Sequence, residues 1–284
     1  MRITGKTQLV GVIGYPVSHT LSPAMHNAAI AELGLDWVYA PFPVAPDRLP
    51  EAVRGLQAVG ARGFNATIPH KESLLPLLDE VSGEAAFIGA VNTVLFHEDG
   101  RSIGYNTDAE GFLRAMDESG IAPPAGEKAA VMGAGGAARA VAAALAKAKA
   151  RKIVIVNRTF EKAEALAAEA DAAIGVSARA EPLTEAGIAS ALDGTALLVN
   201  ATSAGMDGSA GLPIDADALR PPLAVYDIVY SPPQTGLLKT AAQNGCKTLN
   251  GLGMLTHQGA IALERWTGLK APVETMRQAL LAAL

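Results

Sequence analysis

The chain has 284 residues, half of them hydrophobic, 18% charged and 5% aromatic, with 29 glycines and 17 prolines. That composition excludes a disordered, collagen-like or low-complexity chain, and the length predicts about two domains. Twenty-three basic against 28 acidic residues give a net charge of -5, and a mildly acidic chain is a poor candidate for sequence-independent nucleic-acid binding, which needs clustered Lys and Arg.

The single cysteine, Cys246, cannot form an intrachain disulfide, which fits a reducing compartment. The opening Met1-Arg2-Ile3-Thr4-Gly5-Lys6 lacks the apolar run and cleavage site of a signal peptide. No stretch approaches about 18 consecutive apolar residues. The expectation is a soluble cytoplasmic protein without a membrane partner.

Predicted strands and helices alternate nearly from end to end, which argues for an α/β protein with mostly parallel sheets. A strand over Leu9–Gly14 leads into a helix that Ser22 can cap, with Pro23 in its first turn and Gly34 at its exit. A strand follows over Val38–Pro41, then a helix from Asp47 to about Gly60, then a strand over Gly63–Ile68 stopped by Pro69. Strands over Ala90–Phe96 and Ser102–Asn106 flank Asp99-Gly100, a hairpin signal. Thr107-Asp108-Ala109-Glu110 has the pattern of a capping box opening another helix. The stretch 121–128, with two prolines, looks like the entry to a second domain. There, Ala129–Met132 is a strand, Gly133–Gly136 a tight turn, Ala137–Ala150 a helix and Ile153–Val156 a strand. Further strands fit Leu197–Asn200, Val225–Val229 and Lys247–Leu249; helices fit Leu237–Asn244, Leu255–Trp266 and Val273–Leu284.

Gly133-x-Gly135-x-x-Ala138 therefore sits between a strand and a helix. The first glycine permits a sharp turn, the second lets backbone approach a pyrophosphate, and the third position needs only a small side chain. The helix N-terminus offers free N–H groups to the phosphates. A ligand-free glycine-rich connection would carry the same letters, but the strand–turn–helix–strand context favours nucleotide binding. The next strand ends in Asn157-Arg158-Thr159. An Asp or Glu there would bind a ribose 2′-hydroxyl and favour NAD; Arg158, with Lys162 just beyond, offers cations to a 2′-phosphate instead. Two solvated basic residues at a helix start are common, yet that position normally prefers acids. The reading is NADP.

In the N-terminal half, Gly14-Tyr15-Pro16-Val17-Ser18-His19-Thr20-Leu21-Ser22-Pro23 places the Thr20 and Ser22 hydroxyls at the positive end of a helix, a possible carboxylate pocket. Taken alone, the segment reads as ordinary capping by Ser22. Asn65-Ala66-Thr67-Ile68-Pro69-His70-Lys71 closes a strand, and ligands of open α/β sheets bind beyond the carboxyl ends of strands. Asn65, Thr67 and Lys71 would then face a cleft, with Lys71 able to exchange a proton; a surface lysine is the commoner fate of a lone Lys. Asn92, inside a predicted strand, needs a partner. Asp108 at a helix start is explained by capping and the dipole alone.

Taken in order, these segments resemble the shikimate dehydrogenase family. The match runs through Gly14–Asn27, Asn65–Lys71, Gly89–Thr93, Gly104–Gly111, Gly133–Ala140, Asn157–Thr159, Asn200–Met206 and Gly251–Ala260, nearly the whole chain. The resemblance implies an N-terminal α/β substrate domain (residues 1–106), a Rossmann-like doubly wound parallel-sheet domain (107–245), a cleft between them, and C-terminal helices (246–284) returning to the substrate domain. It implies reduction of 3-dehydroshikimate to shikimate with NADPH, on the way to chorismate and the aromatic amino acids. The family's catalytic lysine and aspartate fall on Lys71 and Asp108. Its substrate contacts fall on Thr20, Ser22, Asn65, Thr67, Asn92, Tyr230 and Gln258. Its cofactor contacts fall on Gly133, Ala134, Gly135, Gly136, Ala137, Asn157, Arg158, Thr159, Lys162, Thr202, Ile228, Gly251 and Met254.

Two positions depart from the family pattern. Thr20 stands where many members have Ser, which bears on discrimination against quinate, and Lys162 stands where some have Arg, a point charge without a fork. No metal is expected: the five histidines lack metal-ligand spacing and one Cys makes no thiolate cluster. The expected partners are small molecules, with the protein a monomer or homodimer. The alternatives are a quinate/shikimate dehydrogenase using NAD and a catalytically silent metabolite-binding homologue.

Overall fold

A run of buried apolar residues forms β1 (Gln8–Gly14), one strand in from the edge of the first of two sheets. The computed structural model describes residues 3–174, 176–206 and 209–284. Residues 1 and 2 of the opening segment, read above for a signal peptide, lie outside the described residues. β1 pairs in parallel with β2 (Trp37–Pro43) and β3 (Gly63–Ala66), and the crossovers are α1 (Ser22–Glu32) and α2 (Leu49–Ala58). α1 buries Met25, His26, Ala29 and Ile30, a stripe at helical spacing.

Next come β4 (Glu80–Val81), α3 (Gly83–Ile88), capped by Ser82, and the hairpin of β5 (Thr93–Phe96) and β6 (Ser102–Tyr105). The predicted Asp99-Gly100 turn is present: Gly100 has φ +88°, and Asp99 Oδ1 accepts from Arg101 N at 3.1 Å. β5 runs antiparallel to both β3 and β6, so the first sheet is mixed, in the order β2-β1-β3-β5-β6-β4. α4 (Asp108–Ser119) follows.

The second sheet is wholly parallel. Its elements are β7 (Lys128–Met132), α5 (Gly136–Lys147), β8 (Lys152–Asn157), α6 (Phe160–Ile174), β9 (Ser177–Pro182), α7 (Glu185–Leu192), β10 (Leu197–Asn200), β11 (Ala224–Asp227), α8 (Gly236–Gln243) and β12 (Lys247–Leu249). The order β12-β11-β10-β7-β8-β9 reverses direction between β7 and β10, the topological switch point where doubly wound sheets bind ligands. All of β7 is buried, as a central parallel strand covered on both faces must be. Two helices close the chain, α9 (Leu252–Thr267) and α10 (Val273–Ala283). α10 packs on α1, and Trp266 of α9 donates from Nε1 to Val94 O of β5 at 2.9 Å.

The chain divides into two compact units: residues up to Gly111 with Leu255–Ala283, and Phe112–Met254. These divisions differ from 106/107 and 245/246 for identifiable reasons. Asp108 in the first turn of α4 is hydrogen-bonded to Asn92, and β12 extends the second sheet to residue 249. Several ends also move. Ser22 is not the cap of α1 but its first residue. Leu21 takes the cap position with no side-chain bond, and Thr20 Oγ1 accepts from Ser22 N at 3.3 Å. Asp47 lies in a 3-10 turn ahead of α2, because Pro50 suits the helix's first turn. β3 ends at Ala66 and β5 begins at Thr93, which puts Asn92 just outside the strand.

His26 is fully buried on α1, stacked on Tyr39 with ring centroids 4.2 Å apart, and neither ring nitrogen has a hydrogen-bond partner. Burial lowers its pKa from 6.5 to about 3. The folded protein therefore keeps His26 neutral where the unfolded chain takes up a proton, and stability falls as pH drops through that window. Between pH 6.5 and 3 this one residue contributes a slope of about 1.4 kcal/mol per pH unit. His26→Phe, which keeps the stack, is expected to flatten that acid limb in urea-unfolding measurements across the range.

Candidate active site

The turn after β3 fixes Lys71 by its backbone before its side chain does anything. His70 N donates to Thr67 O at 2.9 Å, the buried His70 ring sits 2.7 Å by Nε2 from Val44 O, and Lys71 O accepts from Val91 N at 2.8 Å. The Lys71 side chain, only 16% exposed, reaches Asp108 with Nζ 2.6 Å from Oδ2. Asp108 opens α4, where the helix dipole favours a negative charge. Its N–H donates to Asn106 Oδ1 at 3.0 Å, and Asn106 Nδ2 is anchored on Ala90 O at 2.9 Å.

The second carboxylate oxygen is held by Asn92, whose Nδ2 donates to Asp108 Oδ1 at 2.8 Å. The Asn92 amide can point only one way. Its Oδ1 accepts from Thr107 N at 2.8 Å and from the Thr93 hydroxyl at 3.0 Å, so its nitrogen must face the carboxylate. A chain of donors runs behind it. Tyr39 OH donates to Asn65 Oδ1 at 2.8 Å, and Asn65 Nδ2 donates to Thr93 Oγ1 at 3.0 Å and Asn92 O at 3.2 Å. Burial pushes the Tyr39 phenol well above its ordinary range, opposed by a hydrogen bond with Ser22, so it remains a donor. Asn92 is still bound into the sheet although outside the strand, its N donating to Tyr105 O and its O accepting from Ala66 N.

Lys71, Asp108, Asn92, Asn65 and Gln258 thus form one connected group in the first unit. Gln258, on α9, joins at its edge, with Oε1 3.4 Å from Asn92 Nδ2. Thr20 and Thr67, on the loops at the carboxyl ends of β1 and β3, and Ser22, the first residue of α1, belong to the same unit, but their hydroxyls do not bond Lys71 or Asp108. Tyr39 and Thr93 escaped sequence reasoning as functional residues. Thr93 stands next to Asn92 in a quoted motif, and Tyr39 carries no motif signal at all.

The second unit holds the residues read as a cofactor site. Gly133 has φ +114°, and a Cβ there would lie 3.0 Å from Ala201 O and 3.1 Å from Thr202 Cγ2. Ala134 follows in the turn. Gly135 is the N-cap of α5 and has no side chain to bond its first turn, so helix geometry leaves the N–H groups of Gly136 and Ala137 without an intrahelical partner, and the buried Ala138 supplies the small third position. Asn157 Nδ2 donates to Thr159 O at 2.9 Å and shapes the turn that carries Arg158; Arg158, Thr159 and Lys162 are exposed. On the other side of the switch point, Thr202 Oγ1 donates to Asn200 Oδ1 at 2.7 Å. Gly251 lies against Ile228, where a Cβ would collide with the Ile228 carbonyl, and its N donates to Val229 O at 3.1 Å. Met254 is buried, and Tyr230 lies half-buried on the loop after β11. Open backbone donors, a glycine approach and cations at the end of β8 fit a dinucleotide with a 2′-phosphate.

Comparison with known proteins finds three family models on this chain. The shikimate dehydrogenase substrate binding domain matches residues 12–94, the shikimate / quinate 5-dehydrogenase family matches 119–205, and the shikimate 5'-dehydrogenase C-terminal domain matches 251–281. A shikimate dehydrogenase (NADP(+)) of Methanopyrus kandleri is 50% identical, over 98% of this chain and 97% of its own. A shikimate dehydrogenase solved in complex with NADP+ is 42% identical and superposes with a TM-score of 0.90, covering 99% of this chain and 97% of that one. The Thermus thermophilus shikimate 5-dehydrogenase in complex with NADP(H) and shikimate is 42% identical with a TM-score of 0.87, covering 98% of this chain and 100% of its own.

The orientation of Asn92 gives a direct test. Asn92→Asp keeps the shape but sets a second carboxylate against Asp108, which raises the pKa the two share. The variant is expected to lose about 2–3 kcal/mol of stability at pH 7.5 and to recover much of it near pH 5, where one proton is shared. Urea unfolding of variant and parent at the two pH values reads the difference.

Proposed function

The chain belongs to the shikimate dehydrogenase family, and we propose that it catalyses the reversible, NADPH-dependent reduction of 3-dehydroshikimate to shikimate, a step toward chorismate and the aromatic amino acids. The observation that carries this reading is the 2.6 Å contact of Lys71 with an Asp108 whose other oxygen is held by Asn92. A bound NADPH supplies the hydride that the ketone carbon receives. The chain's own residues must hold the substrate and handle the proton.

Reduction leaves an alkoxide on the former ketone oxygen. One N–H bond of the Lys71 ammonium is committed to Asp108, which leaves two to stabilise that oxygen and to deliver a proton. In the oxidative direction the same amine accepts the proton from the hydroxyl. Asp108 keeps the ammonium aimed, and Asn92 keeps Asp108 in place. Both amide hydrogens of Asn65 are engaged within the protein, so Asn65 offers a substrate hydroxyl only a carbonyl lone pair. Thr20 and Ser22 at the start of α1 suit the substrate carboxylate, and Thr67 and Gln258 suit its hydroxyls.

Cofactor choice rests on the end of β8. An acidic residue there would repel a 2′-phosphate, whereas Arg158 presents a planar fork and Lys162 a second charge. This supports NADP over NAD. The mild negative charge, the single buried Cys246 and the lack, among the described residues, of any helix long and apolar enough to cross a membrane support a cytoplasmic enzyme acting on small molecules, with neither nucleic acid nor membrane as partner, as a monomer or homodimer.

Initial rates with shikimate and with quinate, each with NADP and with NAD, test the proposal; the expected preference is shikimate with NADP, and a preference for quinate with NAD would overturn it. Lys71→Ala is expected to lower kcat by about three orders of magnitude, with shikimate affinity changed only a few-fold. Loss of affinity alone would make Lys71 a binding residue. Arg158→Ala is expected to weaken NADP binding by about tenfold or more, the loss of a charge-assisted hydrogen bond, and to leave NAD binding nearly unchanged; titration calorimetry with both dinucleotides measures this.

A further inference from the structure

We propose that Asp227 is a positioning residue whose buried carboxylate ties the loop after β10 to the loop after β11, and so fixes the backbone on the side of the Gly133 turn away from Arg158, where a dinucleotide whose 2′-phosphate meets Arg158 lays its nicotinamide end. The inference rests on the dinucleotide reading above. Asp227 ends β11 and is 0% exposed, yet it takes part in no ion pair among the described residues. Burial pushes its carboxyl up, opposed by three hydrogen bonds to the charged form. A buried charge without a cation is costly unless every lone pair is used in holding something.

The three donors come from three different segments of the second unit. Asn200 Nδ2, at the end of β10, donates to Oδ1 at 2.9 Å. Val229 N, next to Ile228, donates to the same oxygen at 3.1 Å. Thr235 Oγ1 donates to Oδ2 at 2.6 Å, and the same hydroxyl caps α8 by accepting from Leu238 N. The Asn200 amide is polarised through this contact. Its Nδ2 also donates to Ala204 O at 3.2 Å, while its Oδ1 accepts from Thr202 N at 3.1 Å and Thr202 Oγ1 at 2.7 Å. Thr202 and Ala201 in turn line the Gly133 turn, and Ile228 backs Gly251. One carboxylate thereby sets two loops that flank the switch point. An amide in its place offers fewer lone pairs and adds N–H groups for which the pocket provides no acceptor except Thr235 Oγ1. An alanine strands Val229 N and the Thr235 proton.

The test compares the full chain with Asp227→Ala, Asp227→Asn and Thr235→Val. In the cofactor-free protein, amide hydrogen exchange is expected to rise in residues 201–205 and 228–235 of D227A and less in D227N. With NADPH and 3-dehydroshikimate, kcat is expected to fall by about ten- to a hundredfold in D227A and by less in D227N, since small misplacements of reacting groups carry penalties of that order. The isotope effect with 4-deuterated NADPH is expected to rise, and KM for 3-dehydroshikimate to stay within about threefold. If D227A does not fold, D227N with the smaller changes stated for it, and T235V with changes in the same direction, carry the test. Folded variants whose exchange in the two loops and isotope effect match the parent overturn the inference, as does a loss confined to KM for 3-dehydroshikimate. A parent protein that shows no NADPH oxidation with 3-dehydroshikimate defeats the functional reading instead, and the exchange measurement then judges the clasp by itself.

Discussion

An ammonium and a carboxylate pressed together at low exposure will stay in one geometry only if something other than their attraction fixes them. In this chain that constraint is the Asn92 amide. Lys71 can swing on a four-carbon stem and Asp108 can rotate about its own bonds, but the Asn92 nitrogen bonded to Asp108 Oδ1 leaves Oδ2 as the oxygen that meets Lys71. The amide is itself oriented by the backbone N–H of Thr107, the residue before α4, whose own carbonyl accepts from Gly111 N of the helix. Long polar side chains become precise only when supporting groups remove their alternatives. The donor chain through Thr93, Asn65 and Tyr39 is that support.

The two sheets solve different tasks with the same rule. In each, the residues with chemistry to do stand at the carboxyl ends of strands or just beyond them: Asn65, Thr67 and Lys71 after β3, Asn157 and Arg158 at β8, Asn200 and Thr202 at β10, Asp227 and Ile228 at β11. Parallel strands expose spare backbone groups and helix N-termini at that edge, so polar side chains placed there find partners. Antiparallel β5 is the exception: Asn92 stands just before its amino end, while β6 runs in the same direction as β3 and delivers Asn106 beyond its carboxyl end, where it bonds Asp108 N.

Much of this was legible in the sequence because it rests on local signals. The glycine turn, the Asp99-Gly100 hairpin, the alternation of strands with helices and the absence of an acid after β8 all lie within short windows, and the family resemblance ordered them. What was not legible depends on distant residues. Tyr39 looks like any strand aromatic until its hydroxyl is seen on Asn65, 26 positions away. Asp227 ends a strand as many acids do, and only Asn200 and Thr235 reveal its task. Ser22 was misread as a cap because a serine before a proline has the right letters, while the backbone there was already helical. The short β4 and the helices α3 and α7 have too few residues to show a period.

The inner run of α5 is almost all alanine: Ala138, Ala140, Ala142, Ala143 and Ala144 are buried, with only Val141 and Leu145 larger among them. A rod this slender lets its axis lie nearer a neighbouring sheet than a leucine-studded one could, because the spacing between layers is set by what protrudes. Its first turn is therefore delivered close to the tips of the strands it covers. The narrow girth of the helix, as much as the glycines ahead of it, brings bare amides within reach of an incoming anion.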